Sequence, residues 1–188
     1  MSSDQRRTSG LSPEYALLGF LSQSPTHGYE LHQKLLGHLG EIWHVSLSQT
    51  YNILARLEEQ GFVQGITQEQ EKRPARRRFQ LTAAGRERFE AWMSSISACS
   101  VRAIRVDFMT RLYFLHARNP AEALKAMQAQ TEALQAHIVR LKERLDDIDP
   151  RLTFNRMGMS LRVRQLEALV ESLNEWKSQL FDTSQEIL

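Results

Sequence analysis

Cysteine is almost missing from this chain: Cys99 stands alone among 188 residues. An intrachain disulfide and an all-cysteine zinc site are therefore excluded, and a reducing compartment is the simple reading. Long apolar runs are missing too. Nothing approaches the roughly 18 residues that a membrane helix needs, and no apolar stretch follows Arg6 and Arg7, so the start does not read as a secretory signal. A cytoplasmic protein with no membrane partner is expected. Charge of one sign is not in excess. Lys and Arg total 24 against 22 Asp and Glu, a formal net of +2, so any case for nucleic acid must rest on where the charges sit. Catalytic signatures are lacking as well. No nucleophile elbow, phosphate-cradling glycine loop or paired-carboxylate motif occurs, and neither an enzyme nor a cofactor is expected. His38, Glu41 and His44 lie in a glycine-bearing link with no cysteine nearby, and are not read as metal ligands.

What is present falls into two halves. Residues 1–95 read as short helices broken by glycine and proline; residues 104–181 read as long helices with few breaks. Each half is nearly neutral, with 11 basic and 10 acidic groups in the first and 13 and 12 in the second. A first helix is expected from Ser12 as cap, with Pro13 and Glu14 in its first turn, and Tyr15, Leu17, Leu18, Phe20 and Leu21 buried. Thr26 can cap a second helix over residues 27–39, with Tyr29, Leu31, Leu35 and Leu36 on its apolar side. Ser46 followed by Gln49 predicts a capping box for a third helix over 46–60. Leu47, Ile53, Leu54 and Leu57 should face inward, and Gly61 should end it.

A short strand over 62–65, a polar loop over 68–74 and a second strand over 76–81 follow. Thr82 then caps a fourth helix carrying Phe89, Trp92 and Met93. This order is that of a winged helix-turn-helix. Lys72, Arg73, Arg76, Arg77 and Arg78 place five positive charges in seven residues with no acid among them. A basic wing over 62–81 beside a polar helix start suits duplex DNA, with the wing on backbone phosphate and the helix in the major groove. A solvated charged loop is the alternative.

In the second half, Ile104, Val106, Phe108, Met109, Leu112, Phe114 and Leu115 predict an apolar helix. Asn119, Pro120 and Glu122 then give a cap, a proline start and a capping box. A helix over 121–149 would be about 43 Å long. Met127, Thr131, Leu134, Ile138, Leu141, Leu145 and Ile148 form a heptad seam, with Thr131 its polar exception. A last helix over 154–181 carries Met157, Leu161, Leu166, Leu169, Val170, Leu173, Trp176, Leu180 and Phe181. That stripe is broad enough for more than one partner, so a symmetric homodimer is expected; a monomeric antiparallel hairpin is the alternative. The dimerisation residues are taken as Leu134, Ile138, Leu141, Leu145, Leu166, Leu173, Trp176 and Leu180. The fold class is therefore mainly α with a small two-stranded wing: a winged helix-turn-helix domain over 1–95 plus long C-terminal dimerisation helices over 96–188.

Residues 12–31, 46–63 and 78–85 resemble the PadR family of bacterial transcriptional regulators. The resemblance rests on His27, Gly28, Tyr29, Glu30 and Leu31; on Thr50, Tyr51, Leu54, Leu57, Glu58 and Gly61; and on Arg77, Phe79, Leu81, Thr82 and Gly85. The layout of the back half is similar to the longer subfamily, whose C-terminal region resembles that of virulence-gene activators. The resemblance implies a homodimer that binds an inverted-repeat operator in double-stranded DNA. It implies a repressor of its own or a neighbouring operon, released by a small, aromatic or phenolic effector. An activator with the same binding mode, or a winged module that contacts protein, are the alternatives.

Within that reading, Ser48, Gln49, Thr50 and Asn52 are candidate base readers, since amides at Gln49 and Asn52 can pair with an adenine edge. Tyr51, Arg56, Lys72, Arg73, Arg76 and Arg78 are candidate phosphate and wing contacts. If residues 76–78 form a strand, their arginines alternate and cannot all face DNA. Effector candidates are Trp92, Met93, Phe108, Met109 and Trp176, although all serve equally as ordinary core.

Overall fold

The structure, a computed structural model, describes residues 11–70 and 73–181. The chain divides into two compact units, Met1–Ser95 and Ile96–Leu188.

The first unit runs α1 (Glu14–Gln23), β1 (Thr26–His27), α2 (Gly28–Leu39), α3 (Leu47–Glu59), β2 (Val63–Gln70), β3 (Arg73–Leu81) and α4 (Ala83–Met93). Helix α1 starts slightly later than predicted, but the Ser12 hydroxyl still accepts from the Glu14 N–H at 3.4 Å. Its apolar set is buried as expected, with Leu17, Leu18 and Phe20 fully enclosed. Thr26 departs from expectation. It is not a cap but part of a two-residue strand, paired with Phe79, and its hydroxyl donates to Glu30 Oε2 at 2.7 Å. That bond holds the Glu30 carboxyl below its ordinary value. The sheet thus has three antiparallel strands in the order β1-β3-β2. Strands β2 and β3 also run further than predicted, through residues expected in a loop. They pair from Val63↔Leu81 to Gln70↔Arg73 with an irregularity between Gln68 and Gln70.

Helix α3 ends as its sequence dictates. Gly61 takes φ 76°, its N–H donates to Glu58 O at 2.9 Å, and the Phe62 N–H donates to Leu57 O at 2.9 Å. This paired closure needs a left-handed residue, which glycine supplies without strain. The Thr82 hydroxyl accepts from the Gly85 N–H at 3.0 Å, starting α4, and donates to Gly61 O at 2.7 Å.

The second unit opens with a helical run made of α5 (Val101–Ala103), a π-helical turn (Ile104–Phe108) and α6 (Met109–Arg118). Asn119 Oδ1 then accepts from the Ala121 N–H at 3.0 Å, capping α7 (Pro120–Asp146). Glu122 turns instead toward Arg118, at 3.5 Å. The predicted seam is real at Met127, Leu134, Ile138 and Leu141, all buried. Its polar member is misplaced, however. Gln130 is the fully buried one, and its amide clasps Ser97: Oε1 accepts from the Ser97 N–H at 2.9 Å, and Nε2 donates to Ser97 O at 3.2 Å. The Ser97 hydroxyl donates to buried Asp107, which also holds buried Arg111 at 2.9 Å. Cys99 lies half-buried near Ala133 O, and burial pushes its thiol up, toward the unreactive neutral form.

Helix α8 (Thr153–Phe181) packs along α7, burying Val163, Leu166 and Leu173. Five of the expected dimerisation residues, Leu134, Ile138, Leu141, Leu166 and Leu173, are therefore covered within one chain by this antiparallel pair. They are not a free dimer face. Leu145 and Trp176 are half-buried, and Leu180 is exposed. The most open apolar side chains of α8 among the described residues lie at its start: Phe154 is 86% exposed, Met157 60% and Leu161 58%. Beside them is an open groove of about 430 Å³ lined by Leu145, Arg156, Met157, Ser160, Leu161 and Arg164. Arg156 also closes the end of α7, donating to Leu145 O at 3.0 Å and Ile148 O at 2.8 Å.

Candidate nucleic-acid interface

Helix α3 carries the predicted capping box in full. Ser46 Oγ accepts from the Gln49 N–H at 3.2 Å, and Gln49 Oε1 accepts from the Ser46 N–H at 2.8 Å. Ile53, Leu54 and Leu57 bury one side. Ser48, Gln49, Tyr51, Asn52 and Ala55 lie exposed on the other. Leu47 is exposed rather than inward-facing, because the helix start leads its first residue away from the core.

Thr50 does not belong to the exposed set. It is completely buried, donates its hydroxyl to Ser46 O at 3.1 Å, and sits 3.0 Å from His32 Nδ1. The hydroxyl links the Ser46 carbonyl and the His32 ring. Buried His32 thus ties α2 to the start of α3. Thr50 is a packing residue and has no path to a base edge.

Tyr51 keeps a partly open ring laid over Gly28. A Cβ on Gly28 would come within 2.6 Å of Tyr51 Cε1, so glycine there makes room for the ring. Tyr29 and Leu36, expected in the apolar side of α2, are both exposed.

Arg56 also departs from the expectation of a phosphate contact. Its guanidinium pairs with the buried carboxylate of Glu14, which Arg88 holds from the other side at 2.9 Å. Arg88 in turn lies over the rings of Phe62, at 4.4 Å, and Tyr15, at 5.4 Å. A carboxylate this deeply buried needs such partners, so Arg56 is spent on joining α3 to α1.

Lys72 lies outside the described residues. Arg73 and Arg76 are placed in β3, but their side chains lie outside the described part. Arg77 and Arg78 part ways. Arg77 reaches Glu58 at 2.6 Å, and Glu58 also accepts from the Gly65 N–H at 2.9 Å, so this pair fastens the hairpin to the end of α3. Arg78 donates to Pro25 O at 3.2 and 3.1 Å. A carbonyl orients that guanidinium without neutralising it, and the side chain stays exposed.

Among the effector candidates, Trp92 is stacked on Tyr15 at 4.6 Å with the rings 8° apart, and leans on Phe89. Met93 and Phe108 are buried; Met109 and Trp176 are half-buried. None of the five lines the groove beside Met157. Among the described residues no group of three or more His, Cys, Asp or Glu is gathered as for a metal, and no helix is long and apolar enough to cross a membrane.

Residues 17–91 match the model of the Transcriptional regulator PadR-like family. The chain is 26% identical over 129 residues to the negative transcriptional regulator PadR of Bacillus subtilis (strain 168), covering 69% of this chain and 70% of that protein. Among solved structures, Bacillus subtilis PadR in complex with operator DNA is similar at 20% identity and a TM-score of 0.44, covering 89% of this chain and 98% of that one. The PadR-like regulator BC1756 from Bacillus cereus is similar at 21% identity and a TM-score of 0.40, covering 96% and 99%.

Proposed function

We propose that this chain, whose residues 17–91 match the model of the PadR-like family of transcriptional regulators, acts as a member of that family rather than as an enzyme: a homodimeric, sequence-specific repressor that binds an inverted repeat. One observation carries the reading. A firmly capped helix presents Ser48, Gln49, Tyr51 and Asn52 on its open side, and a hairpin rich in arginine is fastened to that helix's far end by Glu58. Groove-facing polar groups read bases, and the cations beside them hold phosphate. Ser48, Gln49 and Asn52 are the proposed readers. Tyr51, Lys72, Arg73, Arg76 and Arg78 are the proposed backbone contacts.

Two heads related by a two-fold axis would match two half-sites, and joint binding would tighten a modest single-head affinity. The row Phe154, Met157 and Leu161 is the surface assigned to the second copy, since it is the large apolar feature of α8 that its own chain leaves uncovered. Repression is supported by the description of the Bacillus subtilis relative as a negative regulator. Release by a small, aromatic or phenolic effector, and action in the cytoplasm, complete the proposal.

Selection of bound duplexes from a random pool by the full-length protein, read by sequencing at two salt concentrations, tests it. The expected result is an inverted repeat whose binding weakens steeply with salt, with a log–log slope of about −0.9 for each phosphate neutralised. A folded protein that enriches no sequence sinks the proposal.

A further inference from the structure

We propose that Arg77 is a positioning residue of the wing and not a phosphate contact: with Glu58 and Gly65 it sets the angle at which the hairpin, and Arg78 with it, meets the DNA backbone. The inference rests on the DNA-binding reading above and deepens it, by dividing two adjacent arginines between two jobs.

Strand geometry makes the division. Side chains alternate along a strand, so Arg77 shares a face of β3 with buried Phe79, and Arg78 takes the other face. Arg77 stands opposite Thr67, and Gly65 stands opposite Phe79. Arg77 and Gly65 are therefore diagonal neighbours across the pair of strands, within reach of a long side chain. A Cβ on Gly65 would lie 2.4 Å from Arg77 Nε and 2.9 Å from Cζ. Gly65 does not have a left-handed backbone, so what its lack of a side chain provides is the path for Arg77. At the end of that path the guanidinium donates to Glu58 Oε1 at 2.6 Å, and the same oxygen accepts from the Gly65 N–H at 2.9 Å.

The two arginines also differ in what holds them. Arg77 is neutralised by a largely buried carboxylate. Moving it to a phosphate would leave Glu58 without its cation beside a polyanion. Arg78 is held by the Pro25 carbonyl, which leaves its charge free to act on DNA. The place of the Glu58 contact gives it leverage. At its root the hairpin is tied to α3 by the Phe62 N–H on Leu57 O. Glu58 takes hold three residues further out, about 10 Å along β2. One attachment leaves a hinge, whereas a second fixes an angle. Strand β1 supports the edge of β3 at Phe79 and Arg78, and Glu58 ties the hairpin to the helix that would read bases.

The test uses the full-length protein and the operator recovered by duplex selection, with affinity measured over a series of salt concentrations. Loss of one phosphate contact lowers the log–log slope by about 0.9, and Arg78→Gln should show that loss. Arg77→Gln should bind about tenfold more weakly with the slope of the native protein. Gly65→Ala changes no charge, but its Cβ displaces Arg77, so it should weaken binding to a similar degree at the native slope. The double variant Gly65→Ala with Arg77→Gln should bind no worse than the weaker single one, because both remove the same contact. All four should unfold within about 5 °C of the native protein, since a half-exposed ion pair adds little stability. The inference fails if the two arginine variants change the slope alike. It fails equally if Arg77→Gln or Gly65→Ala binds as the native protein does, or if the double variant multiplies the two single losses. If selection by the native protein enriches no sequence, the DNA-binding reading itself fails.

Discussion

Gly28 and Gly85 show how differently two glycines can be required. A Cβ on Gly85 would lie 1.9 Å from Phe62 O, a backbone atom at the entrance to β2 that cannot step aside. Gly85→Ala should cost about 3 kcal/mol in denaturant unfolding. A Cβ on Gly28 would meet only the far end of the Tyr51 ring, which can swing away. Gly28→Ala should change stability by less than about 1 kcal/mol, yet weaken binding to the selected operator by displacing Tyr51. Equal losses of stability in the two variants would refute this distinction. Both glycines were legible in sequence as parts of recurring motifs. Their reasons were not, because Tyr51 and Phe62 reach them across the fold. The same limit hid the roles of Thr50 and Arg56. Helical spacing placed each near the exposed side, while the groups that claim them, His32 and Glu14, belong to other helices.

Helix starts were the most legible elements, because a cap is written in adjacent residues. Ser46 with Gln49, Thr82 and Asn119 all act as predicted. Strand β1 is too short to be legible, since two residues show no alternation, and the polar middle of the hairpin resembles a loop. The heptad of α7 teaches a subtler point. Its period correctly identified the buried face, but a period does not say what covers it, and α8 of the same chain does. The role of Gln130 has no sequence signal, because its partner Ser97 lies in an irregular segment with no pattern of its own. Replacing Gln130 by alanine strands a buried N–H and a buried carbonyl together. The expected loss is about 3 kcal/mol, measured by denaturant unfolding, whereas Thr131→Ala on the same helix should cost less than about 1 kcal/mol because Thr131 only returns its hydroxyl to Met127 O. Similar costs for the two would show that the clasp on Ser97 adds little.

Assembly is the property that separates the covered seam from the open row. If Phe154, Met157 and Leu161 meet a second copy, Phe154→Asp combined with Leu161→Asp should give a monomer in sedimentation with its helix content intact. Leu166→Ala should instead destabilise each chain by about 2–5 kcal/mol, because Leu166 fills the α7–α8 core. A double variant that still sediments as a dimer would move the interface elsewhere. The closure of the first unit has a consequence in time as well as in energy. Tyr15 and Glu14, at its beginning, are completed by Trp92 and Arg88, at its end, and β1 finds its pairing partner only at Phe79. On the ribosome, then, α1 leaves the exit tunnel long before the residues that shelter it have been made. The unit cannot be assembled piecemeal from the front: until α4 emerges, the nascent chain carries an apolar helix and an incompletely paired carboxylate in waiting, and it should resist a protease only once translation has passed Met93.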